Sequence, residues 1–73
     1  MYSYTIYDED GALLEHTEQE GPPDIEALCH KHELGFWRRT HRTEKFNMTT
    51  FYCFHGRIHV KYMEEKENNE EEN

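Results

Sequence analysis

Only one stretch of this chain repeats its apolar residues at helical spacing, which points to a sheet carrying a single helix. That stretch is Asp24 to Leu34, where Ile25, Leu28, Cys29 and His32 fall at i, i+3, i+4 and i+7. Pro23 or Asp24 suits its first turn, Glu26 complements the positive end of the dipole, and Gly35 suits the position just past the last turn. Elsewhere the pattern runs in twos. Tyr2 to Tyr7 reads as a strand with Tyr2, Tyr4 and Ile6 on one face and Ser3, Thr5 and Tyr7 on the other. Either face could be the buried one. Asp8-Glu9-Asp10-Gly11 is a turn, and Ala12 to His16 returns as a second strand. Thr17 to Pro23 reads as a polar loop broken by Gly21-Pro22-Pro23.

Three further strands are expected: Phe36 to Arg42, Phe46 to Phe54 and Arg57 to Tyr62, with Thr43 to Lys45 turning the first into the second. Taking His55-Gly56 as a two-residue loop sets Phe54 opposite Arg57, Cys53 opposite Ile58, Tyr52 opposite His59 and Phe51 opposite Val60. Thr49, Phe51, Cys53, Ile58, Val60 and Tyr62 then share a face suited to pack on the helix. Thr50, Tyr52, Phe54, Arg57, His59 and Lys61 share an aromatic and basic face suited to water. The expected fold class is α+β, a small mixed sheet with one covering helix in the order β-β-α-β-β-β. Residues 1–62 form one folded domain, and residues 63–73 form an acidic tail with little to bury, expected to be disordered.

A 73-residue chain with 34% apolar residues buries a limited core, and its ten aromatic rings must supply much of it. No apolar run approaches the roughly 20 residues that span a membrane. The start of the chain has no basic segment followed by an apolar one, so a cytoplasmic protein is expected. In that compartment Cys29 and Cys53 are expected as free thiols, able to pair only if the fold brings them together.

Charge is sorted into blocks. Residues 1–35 hold nine acids against Lys31, a net of −8; residues 36–62 hold six bases against Glu44, a net of +5; residues 63–73 hold six glutamates against Lys66, a net of −5. Such sorting governs partner choice and association rate more than fold. The overall charge of −8 disfavours general nucleic-acid binding and suits a basic protein surface or imitation of nucleic acid.

Three constellations carry possible chemistry. Cys29 and His32, one helical turn apart, together with Cys53 and His59 (or His55) on the last hairpin, are weak candidates for a zinc site, but their spacing fits no standard finger. The blander reading makes the cysteines small buried hydrophobes, with no metal or cofactor. Trp37, Arg38, Arg39, His41, Arg42, Tyr52, Phe54, Arg57, His59 and Lys61 interleave aromatic and basic groups as nucleic-acid-binding sheets do. The blander reading here is a solvated face whose bases pair with the acids of the first half. The third is the tail, whose Glu64, Glu65, Glu67, Glu70, Glu71 and Glu72 form either a solubilising extension or a phosphate mimic. No Gly-rich phosphate loop, Gly-x-Ser-x-Gly or His-Glu-x-x-His is present, so the expectation is a binding protein and not an enzyme.

Two resemblances bear on this. The helix, Gly35-Phe36, Arg38-Arg39 and Phe51-Tyr52-Cys53 together resemble the opening of FLYWCH- and WRKY-type zinc-binding DNA domains. The second Cys and the closing His-x-His of that pattern are absent, so its function is not carried over. Across the whole chain, Tyr2-Ser3-Tyr4-Thr5-Ile6-Tyr7, the basic middle strands and the Glu64–Glu72 run are similar to the small host-takeover proteins of lytic bacteriophages. Among these, the resemblance is to transcription regulators that bind RNA polymerase, inhibit promoter initiation and promote terminator readthrough. It implies a non-enzymatic partner of bacterial RNA polymerase, at the N-terminal region of β′, in the host bacterial cytoplasm; a monomer without a cofactor is expected. Tyr4, Tyr7, Trp37, Arg38, Arg39 and Tyr52 are the expected contact residues, since Tyr, Trp and Arg dominate interface hot spots. The tail would lie near promoter DNA or nascent RNA. The alternatives are a small nucleic-acid-binding domain using residues 36–62 and a nucleic-acid mimic.

Overall fold

The structure, a computed structural model, describes residues 1–63; the expected disorder of the glutamate tail therefore falls outside the described residues, save at Met63. Five strands and one α-helix follow the expected order: β1 (Tyr2–Asp8), β2 (Leu13–Gln19), α1 (Ile25–Lys31), β3 (Trp37–Thr43), β4 (Met48–Cys53) and β5 (Gly56–Tyr62). They form a single α+β sheet of order β2-β1-β5-β4-β3, with every pairing antiparallel. α1 carries the chain from the β2 edge to the β3 edge, and β3, β4 and β5 then meander back to pair β5 with β1.

Alternation decides which residues enter the core. Tyr4 and Ile6 of β1 and Ile58 of β5 are buried with Leu28 and Cys29 of α1 and Leu34; Ile25, Phe51, Cys53 and Val60 pack around them. The helix therefore covers the face that carries Tyr2, Tyr4 and Ile6. This resolves which side of β1 is inside. Tyr62, expected on the same core face, ends half-exposed at the sheet's end, its ring edge-on to Tyr2 at 5.1 Å.

Several boundaries differ from expectation. β2 runs to Gln19 and not to His16, because Thr17 and Gln19 pair with Tyr4 and Tyr2 and the ladder holds a polar strand that alternation did not mark. α1 starts after Asp24, whose side chain accepts a hydrogen bond from the Ala27 N–H at 3.2 Å. It ends at Lys31, short of the expected Leu34, with Glu33 in the left-handed region (φ 57°) and the Leu34 N–H bonded to the Cys29 carbonyl at 2.8 Å. A continued helix would turn Leu34 to the side opposite Ile25; breaking at Glu33 lets Leu34 enter the core.

β4 starts at Met48, and Phe46, expected at its head, sits exposed in a 3-10 turn (Glu44–Phe46) closed by Asn47 at φ 52°. The last hairpin turns at Phe54-His55 and not at His55-Gly56. Cys53 thus faces Gly56, Tyr52 faces Arg57 and Phe51 faces Ile58, two residues away from the expected partners. Gly56 is a strand residue whose missing side chain permits close approach: a Cβ there would lie 2.3 Å from the Tyr7 carbonyl oxygen and 2.8 Å from Leu34 Cδ2. A shift of two preserves side-chain parity, so both expected face sets survive the error.

Candidate interaction surface

On the face away from α1, the register aligns side chains into rows that cross the sheet. Tyr7, Arg57, Tyr52 and Arg39 are successive partners on β1, β5, β4 and β3. Arg57 stacks its guanidinium over the Tyr7 ring, 4.8 Å from the centroid, and Arg39 stacks over Tyr52 at 4.3 Å. The next row is His16, Thr5, His59, Thr50 and His41. There Thr5 Oγ1 lies 2.8 Å from His16 Nδ1 and Thr50 Oγ1 lies 3.0 Å from His59 Nδ1.

Arg57 links the rows by donating from Nε to His59 Nε2 at 3.1 Å. An acceptor role at Nε2 places the imidazole proton on Nδ1, which then donates to Thr50. Burial, and then the Arg57 charge, hold the His59 pKa below the ordinary histidine range, consistent with this neutral form. Thr50 itself is buried under this network, a departure from the fully wet face expected for it.

Among the described residues, the arginines of this surface have no carboxylate partners. Among the described residues every ion pair involves His16, Lys31, His32 or His55, with Glu18, Glu15, Glu15 and Glu9 respectively. This overturns the reading in which the basic strands pair with the acids of the first half. The strand order explains why: the acidic strand β2 and the basic strand β3 are opposite edges of the sheet, roughly 19 Å apart at four strand spacings. The arginines are held instead by aromatic faces, including Arg38 over Phe54 at 5.0 Å. Their planar guanidinium forks match the geometry of a carboxylate or phosphate acceptor.

The six expected contact residues sort clearly. Tyr7, Arg39 and Tyr52 share the first row. Trp37 and Arg38 begin β3 at a bulge between Trp37 and Arg39, where Trp37 packs edge-on to Phe51 at 5.9 Å on the helix side. With Phe36 and Phe54, 67% and 57% exposed, they form an apolar and cationic end to the basic edge. Tyr4 does not belong to the surface. It is 6% exposed, in the core, with its hydroxyl donating to Glu15 at 3.1 Å. Arg57, absent from that set but present in the basic-aromatic one, is the residue that joins the rows; the corrected hairpin register is what reveals it.

The weak zinc candidates do not converge. Cys29 and Cys53 meet with sulfurs 3.5 Å apart, but His32 turns its Nε2 to Glu15 at 2.7 Å and His59 lies on the other face of the sheet. Among the described residues no cluster of three or more potential ligands forms. Glu15 instead gathers four donors: His32, Thr17 at 2.8 Å, Lys31 at 3.3 Å and Tyr4. His32 and then Thr17 lower its carboxyl most; partial burial opposes them, and Lys31 and Tyr4 add to them, leaving a pKa of about 2.

Compared with known proteins, the chain matches no family model, no curated protein and no solved structure. No helix among the described residues is long and apolar enough to cross a membrane.

Proposed function

We propose that this chain is a non-enzymatic binding module that docks on bacterial RNA polymerase, inhibits initiation and promotes readthrough of terminators. The observation that carries this reading is the Tyr7–Arg57–Tyr52–Arg39 row: arginines pre-oriented by aromatic rings on an open sheet face, with no carboxylate partner among the described residues. Pre-organised Arg and Tyr are suited to central interface positions. The polymerase, and the β′ N-terminal region within it, come from the whole-chain resemblance to phage regulators. Stabilising one polymerase conformation over another is enough to alter initiation or pausing, so no reaction centre is required.

The test is titration of the labelled full chain with purified bacterial RNA polymerase, alongside promoter run-off and terminator-readthrough assays. Saturable binding with fewer initiations and more readthrough supports the proposal. Absence of binding at micromolar concentrations overturns it.

A second reading, single-stranded nucleic-acid binding, is favoured by the same face, which carries His41, His59 and Lys61 in the rows beside it. Guanidinium groups already cover one face of Tyr7 and of Tyr52, which leaves less ring for base stacking. Gel shifts with oligonucleotides at two salt concentrations separate the readings, since phosphate-driven binding weakens steeply with salt.

A further inference from the structure

The helix face of the sheet holds a pair of groups that the proposed interaction does not use. Cys29 of α1 and Cys53 of β4 are 24 residues apart in sequence, yet their sulfurs lie 3.5 Å from each other. Both are free thiols. Cys29 is buried, while Cys53 is half-buried beside the Phe54-His55 turn. Cys29 also lines a cleft of about 410 Å³ with Glu26, His30, Glu33, Gly35 and Phe36, on the helix side, whereas Cys53 meets solvent outside that cleft. α1 is the sole α-helix among the described residues, so a bond between these sulfurs would tie it to the central meander.

From this geometry we infer that Cys29 and Cys53 form an oxidisable dithiol, a site at which a small disulfide such as oxidised glutathione installs an intramolecular bond that staples α1 to β4. Cys53, the more accessible sulfur, loses its proton to water and attacks one sulfur of oxidised glutathione. A mixed disulfide forms and one glutathione thiolate leaves and is protonated. Cys29 then loses its proton, attacks Cys53 Sγ and expels the second glutathione thiolate. Two cysteine thiols are oxidised by two electrons, and one oxidised glutathione becomes two reduced ones. Burial, with Cys29 adding to it, pushes the Cys53 thiol up to about 12. Few thiolates are therefore present at neutral pH, and the reduced pair is the resting form, converted by sustained exposure and not by brief contact. A bond closing this loop removes freedom from the unfolded chain, and for a domain of this size the melting temperature should rise by roughly 10 °C.

The experiment incubates the full chain with oxidised glutathione under native conditions, then compares intact mass, non-reducing peptide maps and thermal melts with the reduced protein. The expected result is a monomer two hydrogens lighter, a Cys29–Cys53 cross-linked peptide, and a raised melting temperature that reductant reverses. Cys53→Ser should yield neither the cross-link nor the shift. The wild-type peptide map decides the matter even where that variant folds poorly. Only stable glutathione adducts, only intermolecular dimers, or unreacted thiols after prolonged incubation would overturn the inference.

Discussion

At the scale of single residues, two side chains tie the molecule together by accepting hydrogen bonds. Glu15 joins β1, β2 and α1 through Tyr4, Thr17, Lys31 and His32. Because its folded pKa of about 2 lies below the ordinary 4.5, its stabilising effect is complete above about pH 5. That effect is lost as pH falls through 4.5 towards 2. Glu15→Gln should lower stability by about 1 kcal/mol at pH 7 in urea melts, and the difference from wild type should shrink below pH 4. His59, also held below its ordinary value, contributes in the same direction: its effect is present above pH 6.5 and declines as the medium becomes more acidic. Gly56 acts through absence. Gly56→Ala drives a methyl group against the Tyr7 carbonyl and Leu34, and should cost about 2–3 kcal/mol in the same assay.

At the scale of elements, the helix core positions and the parity of the last two strands were legible before any coordinates, since 3.6 and 2.0 periods are local properties. Leu28, Cys29, Ile58 and Val60 all fall where periodicity put them. Register and boundaries were less legible because they depend on neighbours. The identity of Gly56 suggested a turn, whereas its reason for being glycine is the approach of β1, a strand more than forty-five residues earlier in the chain. The end of α1 was hidden similarly, since the burial of Leu34 requires a left-handed Glu33. A residue with a Cβ is strained there, so Glu33→Gly should stabilise the fold by about 0.5–1 kcal/mol, read as a higher melting temperature. The candidate interaction surface was partly legible: alternation grouped Tyr52 with Arg57, but only the sheet order sets Tyr7 and Arg39 in line with them.

At the scale of the whole molecule, charge blocks in the sequence become charge edges in space. The acidic β2 and basic β3 bound the sheet on opposite sides, and β3 presents Arg38, Arg39 and Arg42 on a bulged edge that no other strand pairs among the described residues. Charged side chains and a bulge discourage edge-to-edge pairing, which fits a strand reserved for a specific partner. Association steered by these charges should slow as ionic strength rises, more in its on-rate than its off-rate, as stopped-flow mixing with polymerase would show. The glutamate tail is a separate expectation of the sequence, tested apart from docking. Truncation after Tyr62 should leave docking largely intact and weaken regulation in run-off and readthrough assays.

The central claim is that the open face of the sheet, and not the helix side, meets the partner. Its most direct measurement is the affinity of purified bacterial RNA polymerase for two double variants, each first shown to be folded. Arg39→Ala with Arg57→Ala should weaken binding by roughly 30-fold or more, and Glu26→Ala with His30→Ala, on the exposed side of α1, should leave it within about twofold. Unchanged binding by the arginine variant, or loss of binding by the helix variant alone, would contradict the account.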